Sequence, residues 1–334
     1  MDMKKVSMIV PVFNGEQYVE RSIAMLKAQD YPDLEIVIVN DGSTDNTYEM
    51  ISSAVSDDTR FRLYSQSNGG PAAARNLGLK MAMGEYICFV DFDDYIFPNY
   101  VSYLYSLLVN TDSDIACADC IRLAFDDPIP SIDENAIESN VNSNDAIVNM
   151  FYRRQIRSYA VCKLLKADLA RKIRFVNTSL GEDLIYNFNA FKLASSVSYS
   201  NKVLYIYFQN PSSIVASGKG KDISRKWSVF TQAVLSDPIC KNSKIRSAIR
   251  CHAFVMASDL LTQMESNNTQ IRIYQTLYKF IKKYGIMVFK DHNSKTLNRA
   301  MGLIASICPV GYLYLCRAYK SFLRQSGKVK KASV

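Results

Sequence analysis

The chain has 334 residues, 48% of them hydrophobic and 22% charged, with a formal net charge of +8. It is too apolar for a disordered chain and long enough for more than one domain. Eight cysteines scattered over this length do not make the framework of a small secreted domain, so they are expected reduced and mostly buried.

The first apolar run, Val6 to Phe13, is a strand stopped by Asn14-Gly15. It is too short for a signal peptide, is broken by Pro11 and lacks a cleavage site, so none is expected. Glu16 to Ala28 has helical period, with Val19, Ile23 and Leu26 on one face. A second strand, Leu34 to Val39, ends in Asn40-Asp41-Gly42-Ser43-Thr44-Asp45, which is turn chemistry followed by a helix start. Asp41 at that strand end could accept a hydrogen bond from a pyrimidine imide or form an Asx turn. Phe61 to Tyr64 is a weaker strand. Gly69-Gly70-Pro71 then opens a helix carrying Arg75, and offers backbone N–H groups to a diphosphate or makes an ordinary cap. Arg75 would face that diphosphate or be solvated.

Tyr86 to Val90 is a buried strand ending in Asp91-Phe92-Asp93-Asp94. Clustered like charge after a buried strand is unfavourable unless a cation offsets it, and hard oxygen ligands suit Mg²⁺ or Mn²⁺. Strands alternating with helices of about a dozen residues predict βαβ units on a mostly parallel sheet. Right-handed crossovers would bring Asn14, Asp41 and Asp91 to one sheet edge, where open α/β sheets place ligands. No Gly-x-Gly-x-x-Gly or Walker A sequence supports a dinucleotide site or P-loop.

Leu123 to Tyr152 lacks Lys and Arg while Asp126, Asp127, Asp133, Glu134, Glu138 and Asp145 accumulate, which predicts a long solvated loop on the acceptor side. Basic, apolar-periodic sequence follows, with Lys163 placed to reach an anionic group. Glu182-Asp183 opens a helical segment after Gly181, and acids there suit either the helix dipole or a proton-abstracting role. Val203 to Phe208 is a further strand. Cys117-x-x-Cys120 is a lone pair, which speaks against zinc. His252 and His292 read as structural or surface residues.

Taken together, Val10-Pro11-Val12-Phe13-Asn14, Val39 to Asp45, Ala74-Arg75-Asn76-Leu77-Gly78, Asp91-Phe92-Asp93-Asp94 and Gly181-Glu182-Asp183 resemble family 2 glycosyltransferases of the GT-A fold, over about residues 4 to 210. The resemblance implies inverting transfer of a sugar from a nucleotide donor, usually UDP-linked. It implies that Pro11, Val12, Phe13, Asn14, Glu16 and Asp41 hold base and ribose, with Gly70, Arg75 and Phe92 also lining the nucleotide site. Asp91 and Asp93 would form the Asp-X-Asp motif at ribose and metal (Mn²⁺ or Mg²⁺). Asp183 would be the base and Glu182 its neighbour at the acceptor. Phe92 stands where a small residue is common, which bears on donor fit. A nucleotidyltransferase and a non-catalytic GT-A-like scaffold are the alternatives.

The transferase domain is expected to span residues 1–220 and a helical region 221–334. After Asp291 no acid occurs, while Lys295, Arg299, Arg317, Lys320, Arg324, Lys328, Lys330 and Lys331 follow. Ala300 to Cys316 is uncharged and, at 17 residues, at the short limit for a membrane span. It predicts peripheral contact with the cytoplasmic membrane face, or a buried hairpin or homo-oligomer contact. The acceptor expected from the resemblance is a saccharide or lipid-linked oligosaccharide of surface polysaccharide synthesis. Nucleic acid is not an expected partner.

Overall fold

The computed structural model describes residues 3–124, 127–130, 136–178, 181–209, 223–264 and 271–325. The chain divides into two compact units. The first comprises Met1–Ile147 and Gln155–Lys219, the second Val148–Arg154 and Gly220–Val334.

The first unit begins with β1 (Val6–Val12), whose side chains are almost all buried. A 3₁₀ turn and α1 (Val19–Lys27) lead to β2 (Leu34–Asn40), buried along its whole length. Then follow α2 (Thr47–Ala54), β3 (Phe61–Ser65), α3 (Pro71–Met81) and β4 (Tyr86–Phe89). Continuous apolar runs on the two inner strands match burial on both faces of a parallel sheet. β1 pairs in parallel with β2 on one side and β4 on the other, and β2 pairs in parallel with β3. The turns after β1, β2 and β4 therefore open on one edge, as the βαβ reading expects.

The second half of the sheet is mixed. β5 (Tyr95–Ile96), α4 (Tyr100–Asn110) and β6 (Ile115–Ala124) are followed by β7 (Glu138–Asn142) and α5 (Ser143–Phe151). β8 (Lys163–Lys166), α6 (Ala167–Ala170), α7 (Glu182–Leu193) and β9 (Ser196–Gln209) complete the unit. β8 runs antiparallel to β4 and β6, whereas β6 and β9 are parallel. Among the described residues the sheet has nine strands in the order β3-β2-β1-β4-β8-β6-β9-β5, with β7 on β9. The stretch expected as a long solvated loop is thus partly ordered: β7 pairs antiparallel with β9 and α5 follows it. Its polar sequence suits an edge strand, which alternation alone does not reveal. Asp126, Asp133 and Glu134 lie outside the described residues.

The second unit contains α8 (Ile223–Phe230), a π-helical turn, α9 (Ser243–Gln263), α10 (Ile271–Lys290), α11 (Thr296–Ile307) and α12 (Pro309–Gln325). His252 is buried between the rings of Phe151 and Phe230, and burial lowers its pKa to about 3. No helix among the described residues is long and apolar enough to cross a membrane. All eight cysteines are free. Cys88, Cys117, Cys162 and Cys251 are buried and Cys308 is exposed, so burial is less general than expected.

Candidate active site

The turn after β1 places Asn14 in the left-handed region at φ 49°. There its Oδ1 accepts from the Thr44 amide at 2.8 Å, and its own N–H donates to Ser43 Oγ. Glu16 accepts from the backbone and side-chain nitrogens of Asn46. These contacts brace the loop after β2 against the loop after β1. Phe13 is 49% exposed beside them, an apolar face open to a flat ligand.

Asp41 is buried, and its carboxylate accepts from Gln66 Nε2 (2.6 Å), Asn68 Nδ2 (3.2 Å), Gly69 N (2.9 Å) and Gly70 N (2.8 Å). Both amide groups offered to a diphosphate are therefore occupied by Asp41 in this structure. The Asx-type use of Asp41 is the arrangement seen, and it pins the loop that starts α3. Gly70 at φ 83° has a backbone that side chains rarely adopt, and nothing lies within 4 Å of where a Cβ would stand.

The acids after β4 divide between two environments. Asp94 is buried, accepts from Tyr205 Oη (2.5 Å) and the Phe208 amide (3.0 Å), and is pushed well up by burial and by Asp93 and Asp91. It ties the turn to β9. Tyr205 Oη in turn accepts from the Asp91 amide at 3.2 Å. Asp91 and Asp93 remain partly exposed. The Asp93 carbonyl takes Arg21 Nη2 at 2.6 Å. Phe92 is buried in the core cluster near Gly15, so its bulk lies in the core.

Arg75 was expected solvated or on a diphosphate. It is instead buried, because α3 carries it beneath Phe175, whose ring centroid is 5.4 Å from the guanidinium. Nη2 donates to Asp91 Oδ1 at 2.7 Å and Nη1 to Asp183 Oδ1 at 3.1 Å, with Glu182 Oε1 3.8 Å away. Burial opposes the charge, but Asp183, Asp91 and Glu182 outweigh it and raise the guanidinium further.

Asp183 stands in the first turn of α7, after Gly181 in the left-handed conformation. Its second oxygen accepts from the Ala160 amide at 3.1 Å. Burial raises its pKa, and Arg75 opposes the rise. Burial and Asp183 lift Glu182 to about 7, and its Oε2 is buried without a hydrogen-bond partner. Lys163 is buried on β8 and donates to the Tyr159 carbonyl at 2.6 Å, holding the segment that contains Ala160.

The structure therefore gathers Arg75, Asp91, Glu182 and Asp183 in one cleft. Asn14 and Glu16 brace its rim, and Asp41 anchors the loop before α3. Sequence reasoning missed Tyr205, Gln66, Asn68 and the Ala160 amide. Tyr205 carried a signal, being a polar-tipped ring in a strand that needs a partner. A backbone amide carries none.

Among the described residues no three His, Cys, Asp or Glu side chains converge as a cation cage. Asp91 and Asp93, partly exposed at one turn, fit a hard cation that completes its shell with diphosphate and water oxygens.

This combination of parallel strands, an Asp-x-Asp turn and a helix-start carboxylate defines a GT-A domain. Residues 7–156 match glycosyl transferase family 2, and the chain belongs to that family. The glycosyltransferase GlyA of Streptococcus pneumoniae is 34% identical over 210 residues, 61% of this chain and 30% of GlyA. The chain thus spans under a third of that relative's length. The fold is shared with S. aureus TarS 1-349, solved with UDP-GlcNAc, at TM-score 0.71 and 20% identity, covering 96% of this chain and 92% of that one. It is shared also with the mannosyltransferase PcManGT of Pyrobaculum calidifontis, solved with GDP-Man and Mn²⁺, at TM-score 0.56 and 14% identity, covering 98% and 87%.

Proposed function

We propose that this protein is an inverting glycosyltransferase that moves a sugar from a UDP-linked donor to a hydroxyl of a saccharide or lipid-linked acceptor in surface polysaccharide synthesis. The observation that carries this reading is the meeting of Asp183 and Asp91 on one guanidinium, from elements far apart in the chain. A carboxylate that can take a proton thus faces the motif expected at the donor. The binding of UDP-GlcNAc by TarS supports the donor class.

On this reading Phe13, Asn14 and Glu16 border the base and ribose, and a ligand-bound Asp41 would exchange its loop amides for the base. Asp91 and Asp93 would hold Mn²⁺ or Mg²⁺, which supplies charge neutralisation to the departing diphosphate. Asp183 takes the acceptor's proton as the hydroxyl attacks. Glu182 borders the acceptor. The enzyme would work at the cytoplasmic membrane face, held by its basic C-terminal helices.

Screening nucleotide sugars for Mn²⁺-dependent thermal stabilisation and UDP release tests this. One UDP-sugar should stabilise the parent and release UDP. Asp183→Asn should bind UDP as the parent does while transfer falls about 10²- to 10⁴-fold. Stabilisation by nucleoside triphosphates with release of pyrophosphate would sink the reading in favour of nucleotidyl transfer.

A further inference from the structure

Arg75 unites features that a diphosphate ligand would not need. Its guanidinium is 6% exposed, so it is closed off from solvent at the cleft floor. Two of its nitrogens hold carboxylates from different elements, Asp91 after β4 and Asp183 in α7. The third, Nε, is buried with no partner. Among the described residues Arg75 is the cation in ion-pair contact with Asp91, Glu182 and Asp183, while Lys163 acts on Asp183 at longer range. Without that charge three acids would face one another across a partly buried cleft, and like carboxylates repel strongly there.

We propose that Arg75 is the positioning residue of the transfer: its planar fork locks Asp183 to Asp91, fixing the proton-accepting carboxylate relative to the donor end of the cleft. This rests on the function proposed above. Ala160 N–H fixes one oxygen of Asp183 and Arg75 the other, so the carboxylate cannot rotate away from the acceptor side. A lysine carries the charge but lacks the fork, and reaches one carboxylate at a time. Misplacing a reacting group by about 1 Å costs on the order of 10² in rate.

The test compares Arg75→Lys and Arg75→Ala with the parent. For Arg75→Lys, kcat should fall about 10²-fold. KM for the donor and affinity for UDP with Mn²⁺ should stay within about threefold, because the interaction acts through Asp183 rather than on the diphosphate. Millimolar guanidinium ion should restore transfer by Arg75→Ala at least about tenfold, since the missing group is a fork-shaped cation. Lost UDP affinity with kcat retained at saturating donor would make Arg75 a diphosphate ligand and overturn the proposal. A second arm needs no turnover. Arg75→Gln and Asp183→Asn, singly and together, should be non-additive by at least about tenfold in the unfolding constant, and additivity would overturn the tie. If the parent transfers no sugar while this coupling holds, the proposed function fails and the clamp stands as a structural fact.

Discussion

Glu182 and Asp183 are adjacent in sequence but differ in their partners. Asp183 has both oxygens engaged, whereas Glu182 keeps one buried oxygen without a hydrogen-bond partner and is lifted to about 7 from an ordinary value of 4.5. A carboxyl whose pKa rises on folding holds its proton more tightly in the folded state. Stability therefore declines as pH rises from about 4.5 to about 7, and the full cost is present above that. Glu182→Gln removes the charge and keeps the shape. It should stabilise the protein at pH 8 by about 1 kcal/mol or more, each pKa unit corresponding to about 1.4 kcal/mol, and the gain should vanish near pH 4. Denaturant midpoints of both proteins at these two pH values check it, and a gain independent of pH would contradict the assignment. The acid pair was legible in the sequence. Which acid would be tied and which left free depends on an amide at residue 160 and a guanidinium at residue 75, neither near in the chain.

At the scale of elements, legibility followed apolar continuity. The buried strands β1, β2 and β4 announce themselves, because a strand covered on both faces must be apolar throughout. β8 is only Lys163–Lys166, flanked by lysines, and its core role comes from pairing with β4 and β6. β7 is polar and gains its place from β9. In the second unit, the helix pair α10 and α11 is set by two glycines. A Cβ on Gly302 would lie 2.6 Å from the Gly285 carbonyl oxygen and 3.1 Å from the Phe289 amide. Backbone cannot retreat as a flexible side chain can, so Gly302→Ala should separate the helices and cost about 1–3 kcal/mol. The expected readout is a lower denaturant midpoint of the helical signal, and an unchanged midpoint would mean the helices are not in such close contact.

Across the whole molecule, charge and apolar surface are segregated. Ile307, Val310 and Tyr314 are 76%, 67% and 74% exposed, and Leu315 and Tyr319 are exposed with them. On α12 this face carries no charge, and the sequence after Asp291 carries only basic charge. An uncovered apolar face bordered by cations suits the headgroup region of an anionic bilayer, and two such tails brought together would repel. Vesicles rich in anionic lipid should therefore bind the protein at low salt, and Val310→Glu with Tyr314→Glu should weaken binding at least about tenfold. The uncharged-to-acidic pair leaves the transferase unit untouched. Concentration-dependent dimerisation without vesicle binding would instead identify the face as a contact between copies.

The sequence by itself determined the family, the strand–helix rhythm of the first 90 residues, the Asp-x-Asp turn and the acid pair at the start of α7. Those properties live in short windows, where a period, a turn dipeptide or a charge cluster is visible without neighbours. Tertiary structure alone decided that Asp41 holds the loop before α3, that Asp94 belongs to the core, and that Arg75 is a buried bridge rather than a solvated cation. Each depends on what a side chain meets after strands far apart pair. Burial then sets whether a charge is screened by water or must be matched by a partner.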